Sequence, residues 1–141
     1  MSECIFCAIV AGTSPAHVVY ADDDVVAFLD RSPVTRGHTL VVPRRHSSRL
    51  ADLDPEVGGR MFAAGARIAG AMSSPGFGAD GVNLAMNDGR AAFQTVFHSH
   101  LHVVPRRTGD RVSFVKGLLS RRSGDLDSVA AELRAAVEAH R

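Results

Sequence analysis

The sequence of 141 residues lacks several features that would place it in a special class of protein. No apolar run approaches the length needed to cross a membrane, and the first residues have neither the basic segment nor the apolar segment of a secretion signal. We therefore expect a cytoplasmic protein with no membrane partner. The net charge is +1, so the strongly basic balance of many nucleic-acid-binding domains is missing as well, and we expect no nucleic-acid partner.

Cysteine is also scarce, with Cys4 and Cys7 accounting for both cysteines of the chain. Two cysteines at this spacing make a poor disulfide framework, and a reducing compartment disfavours one. They are typical of half a metal site, although two small buried residues would give the same pattern. A closed structural zinc site needs four ligands, and His46 with one histidine from the segment 98–102 could supply the other two.

Internal repeats, low-complexity tracts and a linker between domains are missing too. Composition is ordinary, with 45% hydrophobic and 22% charged residues, and the length suffices for one substantial core. We therefore predict a single domain over residues 1–141.

Local patterns predict an α+β fold. The long helix should begin at Asp54, a favourable N-cap followed by Pro55 in the first turn. A second helix is predicted over about 126–139, and the basic segment between Pro105 and that helix is predicted to form loops. A short helix or turn is predicted at 4–10, and strands at 17–20, 25–29, 38–42, 81–86 and through the segment 97–103.

Histidine is the residue whose placement is unusual. His98, His100 and His102 alternate with other residues, so in a strand their imidazoles would lie on one face. Burying three imidazoles together would require three sets of hydrogen-bond partners, which makes a purely structural role costly. Metal binding and catalysis both remain open, because imidazole binds zinc and also acts as a nucleophile or base near neutral pH.

The segment His98-Ser-His100-Leu-His102-Val-Val resembles the signature of the histidine triad (HIT) superfamily. The segments 28–33, 37–43 and 87–96 resemble further motifs of that family, so the resemblance covers about residues 4–110 and leaves a variable region at about 106–141. It implies a five-stranded antiparallel sheet with one long central helix and a C-terminal helix. It also implies a homodimer in which two such sheets join.

The resemblance further implies a role for each matching residue. His100 would attack the α-phosphate, with His102 and His38 as the other catalytic histidines. One zinc per chain, structural because four protein ligands leave no open position, would be held by Cys4, Cys7, His46 and His98. The residues implied to bind nucleotide are Phe28, Asp30, Asn87, Gln94, Thr95, His100 and His102.

The implied activity is that of a hydrolase or nucleotidyl transferase. It would cleave purine nucleotide conjugates at the α-phosphate through a nucleotidyl-histidine intermediate. The candidate substrates are dinucleoside polyphosphates, nucleoside phosphoramidates and compounds like adenosine phosphosulfate. The alternatives are a nucleotide-binding regulatory protein without turnover and a metal-binding module.

Phe93 departs from the family pattern, since many members have glycine immediately before the glutamine. If the backbone there has a positive φ, a phenylalanine would reshape the loop, unless the side chain turns outward.

Overall fold

Five antiparallel strands form one sheet in the computed structural model, which describes residues 4–120 and 124–140. The strands are β1 (Val18–Ala21), β2 (Val25–Leu29), β3 (Thr39–Pro43), β4 (Gly81–Met86) and β5 (Leu101–Arg106), and their order across the sheet is β1-β2-β3-β5-β4. The α+β class and the five-stranded antiparallel sheet are confirmed. The predicted single domain also includes residues 1–3, 121–123 and 141, which lie outside the described residues.

Within these described residues four α-helices accompany the sheet: α1 (Ile5–Ala11), α2 (Pro55–Met72), α3 (Arg111–Leu119) and α4 (Leu126–Ala139). The start of α2 follows the prediction because the Asp54 carboxylate accepts a hydrogen bond from the Glu56 amide at 2.8 Å. Short 3-10 helices lie at Leu50–Asp52 and Arg90–Ala92. In the described part of the chain, no helix is long and apolar enough to cross a membrane.

The alternation of side chains along the strands divides the core into two parts. On one face, α2 and α4 cover the larger cluster, in which Val41, Ile68 and Leu133 are fully buried. On the other face, α1 places Phe6 against Phe28 and Leu40 in a smaller cluster. That smaller cluster leaves room for a cavity beside it.

The predicted histidine strand is shorter than expected. Strand β5 begins at Leu101, so His102 belongs to it whereas His98 and His100 precede it. Before Leu101 the segment is held by a distant part of the chain, because the Ser99 amide donates to the carbonyl of Ser47 in the turn after β3 at 2.6 Å. The three imidazoles consequently do not form a row on one face of a strand.

The prediction of loops between β5 and the last helix was wrong, because α3 lies there. Its hydrophobic residues do not form a stripe against the core, and none of its residues, all of which the structure describes, is buried. A search for a buried apolar face therefore could not find it. The third strand was also predicted one residue too early, since His38 lies in the turn before β3.

Candidate active site and metal centre

The four predicted metal ligands meet between the N-terminal segment and the turn after β3. Cys4 is the N-cap of α1, and its Sγ lies 3.4 Å from Nδ1 of His98. Cys7 Sγ lies 3.5 Å from that same nitrogen and 3.3 Å from Nδ1 of His46. The two Nδ1 atoms are 3.2 Å apart. We call Cys4, Cys7, His46 and His98 the Cys/His cluster.

The distances within the Cys/His cluster match those between the ligands of tetrahedral zinc. With Zn–S of about 2.3 Å and Zn–N of about 2.0–2.1 Å, a tetrahedron has N···S edges of about 3.5 Å and N···N edges of about 3.3 Å. Burial and the neighbouring Cys4 thiol raise the pKa of the Cys7 thiol, which a bound cation would reverse. The residues present therefore fit a zinc ion.

The protonation of His98 supports the same conclusion. Its Nε2 lies 2.8 Å from the carbonyl oxygen of Pro43, which can only accept a hydrogen bond, so Nε2 carries the proton. The lone pair then lies on Nδ1 and is directed at the sulfur atoms. Histidines that bind a metal through one ring nitrogen usually donate the N–H of the other ring nitrogen to a carbonyl, a carboxylate or water.

A cavity of about 380 Å³ lies next to the Cys/His cluster, on the α1 side of the sheet. All five predicted nucleotide-binding residues other than Asn87 and Gln94 contribute polar or aromatic groups to its wall, namely Phe28, Asp30, Thr95, His100 and His102. The remaining wall is largely apolar and includes Ile5, Phe6, Ile9, Leu40 and Val96. The size and lining are typical of a site for a small molecule.

His100 is buried at the wall of this cavity with a defined tautomer. Its Nδ1 donates to the carbonyl oxygen of His98 at 2.8 Å, so Nε2 carries the lone pair. Burial lowers the pKa of His100, against smaller opposing effects of that carbonyl and of Asp30. The Phe6 ring packs edge-on against the imidazole at 5.2 Å. A neutral imidazole with one bare nitrogen can act as a nucleophile.

His38 contacts His102. The Val34 amide donates to Nδ1 of His38 at 3.0 Å, so the proton of His38 lies on Nε2. That Nε2 lies 2.9 Å from Nδ1 of His102, which must accept the hydrogen bond. A neutral His102 then carries its own proton on Nε2. His38 is 1% exposed and supports His102 from behind.

Asp30, His38 and His102 bring three potential metal ligands close together, but their hydrogen bonds argue against a second metal. A metal at Nε2 of His38 would require a lone pair there, whereas the Val34 amide already occupies the lone pair of Nδ1. Asp30 also has another partner, since it accepts a hydrogen bond from the Ser32 amide at 2.9 Å. His38 and His102 are better described as a hydrogen-bonded pair, with the Asp30 carboxylate 3.7 Å from Nε2 of His38.

Gln94 holds the loop that precedes His98. Its amide oxygen accepts from the Gly89 amide at 2.7 Å, and its amide nitrogen donates to the carbonyl oxygens of Ser48 and Val96. Gln94 is 3% exposed, and within the described residues neither it nor Asn87 lines the cavity. The Gln94 side chain thus supports the loop from the interior, and Asn87 follows the end of β4.

Phe93 combines a positive φ with a side chain that turns outward. Its φ is +71°, the one positive value at a non-glycine residue in the described part of the chain, and its side chain is 84% exposed. The backbone thus adopts the left-handed conformation while the ring turns outward.

Sequence reasoning missed two parts of this site. The apolar residues of α1 that line the cavity follow helical spacing, so the pair Phe6 and Ile9 could have been found as one helix face. The Val34 amide could not have been found, because its contact with His38 depends on the path of the turn.

The chain belongs to the HIT family, whose model, described as the HIT domain, matches residues 11–109. The chain is 51% identical over 134 residues to an uncharacterized HIT-like protein of Mycobacterium tuberculosis, covering 95% of this chain and 92% of the relative. It is also 35% identical to the adenylylsulfatase HINT3 of Arabidopsis thaliana, covering 99% of this chain and 70% of the relative.

Among solved structures, the fold resembles a zinc-bound histidine triad family protein from Mycobacterium smegmatis. The TM-score is 0.89 at 50% identity, and the match covers 97% of this chain and 94% of that one. The superfamily comprises nucleotide-binding proteins and hydrolases. The family and the fold expected from the sequence are confirmed.

Proposed function

We propose that this protein is a hydrolase or nucleotidyl transferase that cleaves purine nucleotide conjugates at the α-phosphate through a nucleotidyl intermediate on His100. The observation that carries the proposal is the fixed tautomer of His100. Its Nδ1 is engaged by the His98 carbonyl, which leaves the Nε2 lone pair at the wall of the cavity. No reorganisation of the ring is needed before attack.

The cavity supports this choice of substrate. A purine base would lie against the apolar wall formed by Phe6, Ile9 and Phe28, and the ribose hydroxyls would donate to the Asp30 carboxylate. The α-phosphate would then lie between His100 and His102. Both the dinucleoside polyphosphates and the nucleoside phosphoramidates present the same nucleotide half to these residues.

The proposed reaction has two steps. In the first, Nε2 of His100 attacks the α-phosphorus, the bond from phosphorus to the leaving group breaks, and the leaving group takes the proton from Nε2 of His102. In the second, water attacks the phosphorus and gives up a proton to His102, and the bond to His100 breaks to release the nucleoside monophosphate. Two easier steps thereby replace one difficult displacement.

The activity is tested by incubating the protein with a dinucleoside polyphosphate, a nucleoside phosphoramidate and adenosine 5′-phosphosulfate. The third substrate is included because the Arabidopsis relative is named an adenylylsulfatase. Acid quenching is avoided and the protein is analysed by mass spectrometry for an added nucleotidyl group. Turnover with a trapped adduct supports the proposal, whereas tight nucleotide binding without product would favour a regulatory binding protein.

We also propose that the Cys/His cluster holds one structural zinc ion per chain, supported by the ligand distances and by the zinc-bound relative. Zinc bound there would fix α1 against the His98 segment and so stabilise the wall of the cavity. Its two thiolates require reducing conditions, which suits the cytoplasmic location expected from the sequence. Metal analysis of protein purified without chelator tests the stoichiometry.

A homodimer completes the proposal. Strand β4 lies at the edge of the sheet, next to β5 alone, so its outer side is available to pair with a second copy. Light scattering coupled to size exclusion would give the mass of two chains if this is right and of one chain if it is wrong.

A further inference from the structure

Helix α3 approaches the loop before His38 at a point where only glycine fits. A Cβ atom built on Gly117 would overlap the carbonyl oxygen of Val34 and would lie 3.0 Å from the carbonyl carbon of that residue. Both atoms belong to the backbone, so they cannot rotate away as the end of a side chain can. The α3 backbone therefore rests directly on the backbone of Val34.

Val34 contacts His38 on its other side. Its amide donates to Nδ1 of His38 at 3.0 Å. The turn around it is short and well connected, because the Thr35 hydroxyl donates to the Pro105 carbonyl at 2.8 Å and the His38 amide donates to the Thr35 carbonyl at 3.0 Å. Val34 thus lies between Gly117 of α3 and His38.

The proton positions on two histidines depend on this amide. If the Val34 amide moved away, His38 could carry its proton on Nδ1 and accept a hydrogen bond at Nε2. Nδ1 of His102 would then have to donate across the 2.9 Å contact, and Nε2 of a neutral His102 would lose its proton. His102 would no longer have a proton to give toward the cavity.

We propose that Gly117 is a positioning residue, whose contact with Val34 keeps the proton of His102 on Nε2 through the His38–His102 hydrogen bond. No other function is assigned to α3, which has no buried side chain among its described residues. The catalytic consequence rests on the proposed function, but the proton arrangement does not. The role depends on the absence of a Cβ atom at Gly117 and not on the exposed apolar residues of α3.

The test compares Gly117→Ala with Gly59→Ala. Both changes replace a helical glycine, but a Cβ at Gly59 meets nothing within 4 Å among the described residues. Nitrogen-15 NMR of the imidazoles reports which nitrogen carries each proton, independently of any substrate. In Gly117→Ala we expect the Nε2–H form of His102 to be replaced in part by the Nδ1–H form. Gly59→Ala should keep the wild-type pattern.

The kinetic expectation follows from the loss of a proton donor. With the preferred substrate, kcat of Gly117→Ala should fall at least about tenfold while KM changes less than about threefold, since general acid catalysis contributes on the order of 100-fold or more. The loss should be greatest for amine leaving groups, which need protonation most. A wild-type protein inactive on every substrate would refute the proposed function, yet the NMR comparison would still decide the role of Gly117.

A second variant covers the case in which Gly117→Ala does not fold. Phe114→Ala removes the ring that lies 3.8 Å from the guanidinium of Arg106 and so loosens α3 without any steric overlap. We expect the same change in the His102 tautomer, smaller in extent. The proposal is wrong if the folded variants show the wild-type proton positions, or if Gly59→Ala alters them equally.

Discussion

His98 and His100 are separated by one residue, yet they present opposite nitrogens to their surroundings. His98 donates from Nε2 to the Pro43 carbonyl and directs Nδ1 at the sulfur atoms of Cys4 and Cys7. His100 donates from Nδ1 to the His98 carbonyl and leaves Nε2 for the cavity. In both cases a backbone carbonyl selects the reactive nitrogen. One type of side chain would thereby serve the proposed zinc site at one position and the proposed nucleophilic attack at the other.

The largest effect should come from His100→Gly. Removing the nucleophile should lower kcat/KM by about 10⁴-fold or more, because the bare Nε2 of His100 at the cavity wall is the atom proposed to attack the phosphorus. Zinc content should stay at the wild-type value, since the Cys/His cluster is intact. Steady-state kinetics and metal analysis check the two parts, with His140→Ala as a control at an exposed histidine. Full turnover in His100→Gly would disprove the assignment.

Cys4→Ser should act at the Cys/His cluster rather than at the cavity. Zinc content should fall well below one per chain, and the free energy of unfolding should decrease on the order of 5 kcal/mol, because metal binding contributes directly to folding. Serine is a good N-cap, so the start of α1 loses little for other reasons. Chemical denaturation with and without chelator measures the effect. A chelator should destabilise the wild type and leave the variant unchanged; equal responses would contradict a role in metal binding.

Phe6→Ala should affect the Cys/His cluster and the cavity together. The Phe6 ring packs edge-on against His98 and His100, with distances between ring centroids of 5.9 Å and 5.2 Å. Truncating this buried ring should cost about 3–5 kcal/mol of unfolding free energy and should lower both zinc affinity and turnover. The matched control is Phe62→Ala, whose side chain is 60% exposed and whose loss should change stability by about 0.5 kcal/mol or less. An effect on one region alone would show that the two are independent.

The smallest effect should come from Ser48→Ala. The Ser48 hydroxyl oxygen lies 3.2 Å from Nε2 of His46 and can accept a hydrogen bond from it. That bond favours the tautomer with the proton on Nε2 and so helps to keep Nδ1 bare for the metal. Zinc affinity should fall about tenfold, as is usual when a partner of a metal ligand is removed. Competition with a chromogenic chelator measures this. Turnover with zinc in excess should match the wild type, and a change in turnover alone would argue against this role.

The parts of the fold that could be predicted are those decided by neighbouring residues. The N-cap at Asp54 fixes the start of α2, and the spacing of Val129, Leu133 and Val137 fixes the buried face of α4. The strand β2 has the predicted bounds because its apolar run is enclosed by turn residues. Here local preference and tertiary packing agree.

The details of the site depend on contacts between distant parts of the chain. The partner of His98 is the carbonyl of Pro43, and the partner of Cys7 is His46, so the sequence pattern contains neither pairing. The resemblance to the HIT family supplied the ligand set, which the histidine spacing alone left open. It did not indicate that His38 supports His102, because that depends on the Val34 amide.

The left-handed backbone at Phe93 limits which residues this position can accept. A side chain branched at Cβ, such as valine or isoleucine, is strongly disfavoured at positive φ, whereas glycine and asparagine adopt it readily. The outward ring contributes little packing, since it is 84% exposed. Substitution at Phe93 should therefore be governed by backbone shape rather than by side-chain volume, and glycine should be better tolerated there than a β-branched residue.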